Sequence, residues 1–270
     1  VNAAMTPGTR IRIAGAIGGV IEVRVSDVEL AFEPGASAAG VWIANRIARI
    51  AVRGGTLGYV EMQIPGQYYP TEEFHVEWLT SDVLVDRVDV TAADTAFLMR
   101  GGIRIAITNS RARAVRYGVW FGDTADFESE DVIVAGNDFD CEGPEATVRL
   151  VHVRRSATIG NRLTNQAKHN YRVHGRSELN WGARNVLINT GAFLGRLPDD
   201  VIGRQWFEDN TFYHQAPSLF EVDGTIPELI ARRNIAYTDV WDCFWCSGAP
   251  PAGWVIEANT IMPYVAPPAP

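Results

Sequence analysis

The chain has 270 residues, of which 47% are apolar and 21% charged, so it is globular rather than disordered and long enough to bury a large core. The formal net charge of −8 argues against general nucleic-acid binding, and no run of 18 apolar residues exists to cross a membrane as a helix. The sequence opens at Val1 without a basic, apolar leader, so any signal peptide is expected to have been removed or never present.

In chain order, the predicted elements are strands. Ile11-Arg12-Ile13-Ala14 and Ile21-Glu22-Val23-Arg24-Val25 alternate in polarity, and Val28-Glu29-Leu30-Ala31-Phe32 follows. Residues 39–50 have some helical character, but a helix there would interrupt a stack of strands, and a strand is expected. Residues 49–55 and 83–90 read as further strands. Between them, residues 61–82 form an expected inserted loop with Tyr68, Tyr69, Phe74, His75 and Trp78. The acidic run Asp123, Asp126, Glu128, Glu130 and Asp131 is expected to be a solvated loop. Residues 262–270 contain four prolines and form an expected tail, because proline cannot extend a sheet.

From residue 109 onward an internal period sets the fold. Asparagines recur at Asn109, Asn137, Asn161, Asn185, Asn210, Asn234 and Asn259, at spacings of 28, 24, 24, 25, 24 and 25. Four residues before each stands an apolar side chain, and two residues after each another, with Arg111 the one exception. A period near 24 with two-residue alternation holds three short strands and three bends, which is one lap of a coil. At one bend per lap, asparagine tolerates a left-handed backbone, and its amide can bond the next asparagine in a ladder. The expected architecture is all-β, a single-stranded parallel β-helix of roughly ten coils over residues 1–261.

With these frames, such as Phe207-Glu208-Asp209-Asn210-Thr211-Phe212 and Ile256-Glu257-Ala258-Asn259-Thr260-Ile261, the chain resembles right-handed parallel β-helix proteins of the pectate-lyase-like superfamily. The opening residues 7–35 look like that superfamily's first coils. The resemblance implies the fold, and it implies a carbohydrate-related role only broadly, since the superfamily includes lyases, hydrolases, epimerases, tailspikes and adhesins. It also implies a secreted or periplasmic setting. The polygalacturonase motifs Asn-Thr-Asp and Gly-His-Gly are absent, and the pair Asp199-Asp200 stands alone.

Stacked coils align one side chain per lap, so a site is expected as a row on an outer face. If Tyr171, Val173, Val148 and Leu150 point inward, then Arg149, Arg172 and His174 point outward, followed by Glu221, Asp223 and Trp245, with Trp120 extending the row. Phe193 and the residues up to Pro198 are expected to break it. Indole faces suit pyranose rings, and charged groups suit hydroxyls and carboxylates, so Arg149, Glu221, Asp223, Trp245 and Trp120 are the candidate substrate-binding residues. The alternative is a solvated face carrying cross-coil ion pairs.

Residues 168–176 hold Lys168, the only lysine among 24 basic residues, and two of five histidines. β-Elimination on a uronate needs a cation that neutralises the carboxylate and a base that removes the C5 proton. Arg172, with Arg149, fits the first role, and His174 or Lys168 the second. The acids Asp138, Asp140, Glu142 and Glu145 share one bend, as a solvated group or an adventitious calcium site. No metal ligands are assigned, and calcium is the one cofactor considered. The expected function is action on an acidic polysaccharide, as a polyuronate lyase; the alternative is a non-catalytic module for glycan binding, adhesion or surface structure. Cys243 and Cys246 form a lone C-x-x-C, read as unpaired, packed thiols. Neither nucleic acid nor membrane is an expected partner, and the sequence sets no oligomeric state.

Overall fold

The computed structural model describes residues 5–62, 79–122, 128–189, 192–194, 202–214, 220–222, 226–240 and 250–269. All regular structure among them is strand, and every pairing is parallel. A first face stacks eleven strands from Thr9–Ile13 to Trp254–Glu257, one per lap. A second face runs from Thr56–Leu57 through Asp89–Ala92, Arg111–Ala114 and Asp138–Cys141 to Thr260–Met262. A third runs from Ala16–Val23 through Tyr117–Phe121, Ala146–Val151 and His169–His174 to Phe220–Val222. The chain is a parallel β-solenoid. The number of laps differs slightly from the ten that the repeat suggests. Residues 39–50 contribute to the strands Ser37–Ile43 and Ala48–Arg53, not to a helix.

Alternation along each strand fills the interior. Leu30, Val52, Val85, Ile107 and Val134 stack in one column of the first face, each fully or almost fully buried. Burying a side chain of this size contributes roughly 1.5–3 kcal/mol. Each lap repeats that contribution, which is why short strands, unstable alone, persist in the stack.

Two kinds of bend hold the laps in register. At the first, Asn137, Asn161, Asn185, Asn210, Asn234 and Asn259 are joined Nδ2 to Oδ1 at 2.9–3.0 Å. Each Oδ1 also accepts the backbone N–H of the preceding asparagine, so buried polar groups are satisfied along the whole series. Asn109 lies outside this series. Ser110 occupies its place, donating its backbone N–H to Asn137 Oδ1, while Asn109 points out to Asp86. The 28-residue spacing conceals this one-residue shift. With Ser110 as reference, the residue two later is Ala112, which is buried, and the Arg111 exception disappears.

At the second bend, one residue in or just before each of six successive first-face strands adopts a positive φ near 60°: Asp27, Arg49, Asp82, Arg104, Asp131 and Arg155. They stack in that order with alternating charge. Arg104 grips Asp82 in two bonds of 2.6 and 2.9 Å, and Arg155 grips Asp131 at 2.8 and 3.1 Å. Arg49 is bonded twice to Asp27 as well. Asp131, expected in a solvated loop, therefore belongs to a strand.

The expected insert is narrower than 61–82 at both ends. Glu61 and Met62 belong to the strand Val60–Met62, and Ser81 opens the strand Ser81–Asp86, while 63–78 lie outside the described residues. Met262 ends the last strand, and residues 263–269 carry no regular structure.

Candidate functional site

The outward column of the third face runs through Glu61, Leu98, Trp120, Arg149, Arg172 and Phe193 to Glu221, one residue per lap. Trp120 thus sits directly in register with Arg149, as the row required. Phe193 occupies the position between Arg172 and Glu221, so the row is continuous here rather than broken: the strand Ala192–Leu194 keeps its pairing on both sides. The side chains of Phe193 and Glu221 lie outside the described residues, as do Asp223, Trp245, Cys243 and Cys246.

At the centre of the column, Val148, Leu150, Tyr171 and Val173 fill the interior, which aims Arg149 and Arg172 outward. Both guanidinium side chains are nonetheless buried, Arg149 at 8% exposure and Arg172 at 4%. Arg149 lies against the Trp120 ring, 4.2 Å from its centroid, and 5.1 Å from that of Tyr117. Its Nη1 donates to the Tyr117 hydroxyl at 2.5 Å, and its Nε donates to His174 Nε2 at 3.0 Å. Among the described residues no carboxylate forms an ion pair with Arg149. Burial pulls its pKa down, with Arg172 adding repulsion and Tyr117 and Glu145 opposing.

Glu145 is the acid at the centre. Arg172 Nη1 donates to it at 2.8 Å, and Arg116 stands 3.9 Å away. Burial pushes its carboxyl pKa up, but Arg172, the Tyr117 hydroxyl, Arg149 and Arg116 together outweigh burial and hold it below the usual carboxylate range. Tyr117, packed against Trp120 at 5.1 Å between centroids, has its phenol pushed up chiefly by burial. His174 Nε2 accepts from Arg149 Nε, which assigns its ring proton to Nδ1 for as long as that bond is made. His169, buried at the start of its strand, has its pKa lowered to about 4 by burial and then by Arg172 and Lys168. Lys168 itself is exposed in the turn before His169, its backbone N–H held by Asn165 Oδ1.

Three cations, Arg116, Arg149 and Arg172, therefore act on one ionised acid, Glu145, while Arg100 lies over Trp120 at 5.6 Å and Lys168 acts on His169. The structure brings Trp120, Arg149, Arg172 and His174 together, with Lys168 at the rim. Trp120 presents its ring to Arg149 rather than standing free as a platform for sugar. Tyr117, Glu145, His169, Arg100 and Arg116 belong to the cluster but not to the row. Glu145 had one signal in the sequence, its place in the acidic bend. The structure divides that bend: Asp138 and Asp140 face out on the second face, and Glu145 reaches the third. Among the described residues no group of three His, Cys, Asp or Glu side chains is placed to hold a metal.

No protein-family model matches the chain, and no curated protein matches it in sequence. Among solved structures, it is similar to the Dettilon tailspike protein gp208, with TM-score 0.44 and 11% identity over 93% of this chain and 61% of that one. It is similar to the Streptococcus pneumoniae surface protein and adhesin PfbA, at 0.43 and 9% over 97% and 84%. It is also similar to the GH136 lacto-N-biosidase of Eubacterium ramulus, at 0.44 and 9% over 95% and 62%. The chain spans about three fifths of the length of the first and third of these. Such likenesses carry no argument about activity, and the β-helix assignment rests on the strand pairings.

Proposed function

We propose that the third face binds an acidic polysaccharide and cleaves it by β-elimination, as a polyuronate lyase. The observation that carries this reading is Arg149: a buried guanidinium that forms no direct ion pair among the described residues, beside a second buried arginine that takes the nearby Glu145, on an otherwise acidic protein. A buried cation without a counter-ion is costly unless a ligand supplies one. A uronate carboxylate meets that need bidentately.

The chemistry follows from the neighbours. With the carboxylate neutralised by Arg149 and Arg172, the C5 proton becomes acidic. As Arg149 turns to the substrate it releases His174 Nε2, whose lone pair then takes that proton. The C5–H electron pair forms the C4–C5 double bond, the C4–O4 bond breaks, and the Tyr117 hydroxyl donates its proton to the departing oxygen. The imidazolium of His174 then gives its proton to solvent and Tyr117 takes one back from it, which restores both groups. Hydrolysis instead needs two carboxyl groups at a set separation, one of them protonated. Glu145 is held ionised by its cations and has no second acid beside it among the described residues. The substrate is a polymer, which places the reaction outside the cytoplasm.

The test is incubation with polygalacturonate, alginate and glucuronan, following absorbance of the unsaturated product. Wild-type turnover is expected, falling at least 100-fold in Arg149→Ala and His174→Ala. No product from any polymer, with and without added calcium, overturns the lyase. Binding without turnover would leave a glycan-binding module.

A further inference from the structure

We propose that the second face carries a separate groove for an acidic oligosaccharide, built on Arg111 and Arg113. The groove has a volume of about 600 Å³ and includes Thr91, Arg111, Arg113, Asp138, Asp140 and Gln166 in its walls. Two outward columns cross it. One places Asp89, Arg111, Asp138 and Arg162 on successive laps, and the other Thr91, Arg113, Asp140 and Thr164.

The comparison that points to a ligand lies within the molecule. On the first face, alternating Asp and Arg in successive laps close two-bonded pairs at 2.6–3.1 Å. On the second face the same alternation, at the same lap spacing of roughly 4.8 Å, stays open. Arg111 sits in register with Asp138, and Arg113 with Asp140, yet neither arginine forms an ion pair among the described residues. The nearest approach is Arg162 to Asp138 at 3.9 Å. Asp140 instead accepts a long bond from Gln166, which in turn accepts from Asn189. Arg111 and Arg113 are both exposed and point the same way from one strand, roughly 7 Å apart.

Two free forks flanked by acceptors suit a ligand with both carboxylates and hydroxyls, because sugar hydroxyls donate to Asp and accept from Arg. Beyond Thr164 the column becomes apolar: Ile188, then Tyr213 and Tyr237 stacked at 5.1 Å and 12°. That step offers carbon surface to the C–H face of a pyranose. The polar part covers four laps, roughly 14 Å, so the ligand is an oligosaccharide rather than a monosaccharide. The inference shares its polymer class with the third-face reading and rests on that reading only for this. Two faces holding one polymer raise its effective concentration at the reacting site.

The test maps amide shifts on adding oligogalacturonate and oligoalginate hexamers to wild type, Arg111→Gln/Arg113→Gln and Arg172→Gln. Wild type is expected to shift at Arg111–Ala114 and Asp138–Cys141 as well as at Ala146–Val151. The double variant should weaken the second-face response at least tenfold and keep the third-face response, and Arg172→Gln should do the reverse. Hexamer bound at the third face alone, or second-face shifts unchanged in the double variant, overturns this inference and spares the lyase reading. Second-face binding with neither third-face shifts nor product supports it and overturns the lyase reading. No binding at either face overturns both.

Discussion

Replacing Asn185 with alanine tests the central claim about the fold, that one amide per lap satisfies its neighbours' buried backbone. Asn185 is 3% exposed and makes four side-chain bonds. Its Nδ2 donates to Thr158 O at 2.8 Å and to Asn210 Oδ1 at 3.0 Å. Its Oδ1 accepts from Asn161 N at 3.0 Å and from Asn161 Nδ2 at 2.9 Å. Alanine leaves the Asn161 N–H and the Thr158 carbonyl buried without these partners, whereas Asn161 Nδ2 keeps Val134 O and Asn210 Oδ1 keeps the Asn185 N–H. At about 1–3 kcal/mol for each orphaned group, the loss is about 3 kcal/mol. At roughly 3 °C per kcal/mol for a chain of this size, Tm falls by about 9 °C. The control is Asn109→Gly, which keeps the positive φ of 50° accessible and removes one partly buried bond to Asp86. It should cost under about 1 kcal/mol. Thermal unfolding followed by far-UV circular dichroism measures both, and hydrogen exchange at the Asn161 amide reports the local opening. If Asn185→Ala melts within a degree of Asn109→Gly, the amide series does not hold the laps together.

Two further outcomes follow from the same structure. His169 stays neutral down to about 4, while an unfolded histidine protonates near its ordinary value of 6.5. The unfolded state therefore binds the extra proton between those values, and stability falls as pH falls through that window. His169→Gln should flatten the pH dependence of the urea midpoint between about 6.5 and 4, and an unchanged slope refutes the assignment. Gly143→Ala sets a Cβ 1.8 Å from the Val115 carbonyl oxygen, a backbone atom that cannot rotate away. A loss of about 2–3 kcal/mol is expected in denaturant unfolding, and a wild-type midpoint would show that the lap at 142–145 runs elsewhere.

The fold was legible because the solenoid repeats its physics every lap. Apolar residues at fixed offsets from Asn137 to Asn259 give both the period and the direction in which each strand faces. The same alternation, carried to Tyr171 and Val173, was enough to aim Arg149, Arg172 and His174 outward and to align Trp120 with them. It was blind to Tyr117, Glu145 and His169, which stand at strand ends and in a bend, where two-residue alternation no longer fixes direction. It also misplaced Asn109 by one residue. There the sequence offered two polar neighbours, Asn109 and Ser110, and only packing decides which turns inward. The first-face series Asp27, Arg49, Asp82, Arg104, Asp131 and Arg155 escaped notice because unequal laps spread it irregularly along the chain.

The three faces obey one stacking rule and depart from it in one place. A residue in register with its neighbour one lap away lies roughly 4.8 Å from it, so opposite charges stabilise the stack and like charges oppose it. From Asp27 to Arg155 the first face follows the rule, Asp over Arg. The third face sets Arg149 directly against Arg172, and buries both. Local repulsion of this kind survives only where surrounding groups impose it: Trp120 and Tyr117 press on Arg149, and Glu145 holds Arg172. The hydrogen-bond and ring partners of Arg149 are neutral, a phenol, an imidazole and ring faces, and the acid that acts on it, Glu145, is bonded directly to Arg172 instead. A fold that pairs its arginines with acids on one face, and on another sets two buried arginines against each other with one acid between them, has given up stability at that point. Departures from local consistency are expected at functional sites, which is why the proposed uronate contact is placed at Arg149.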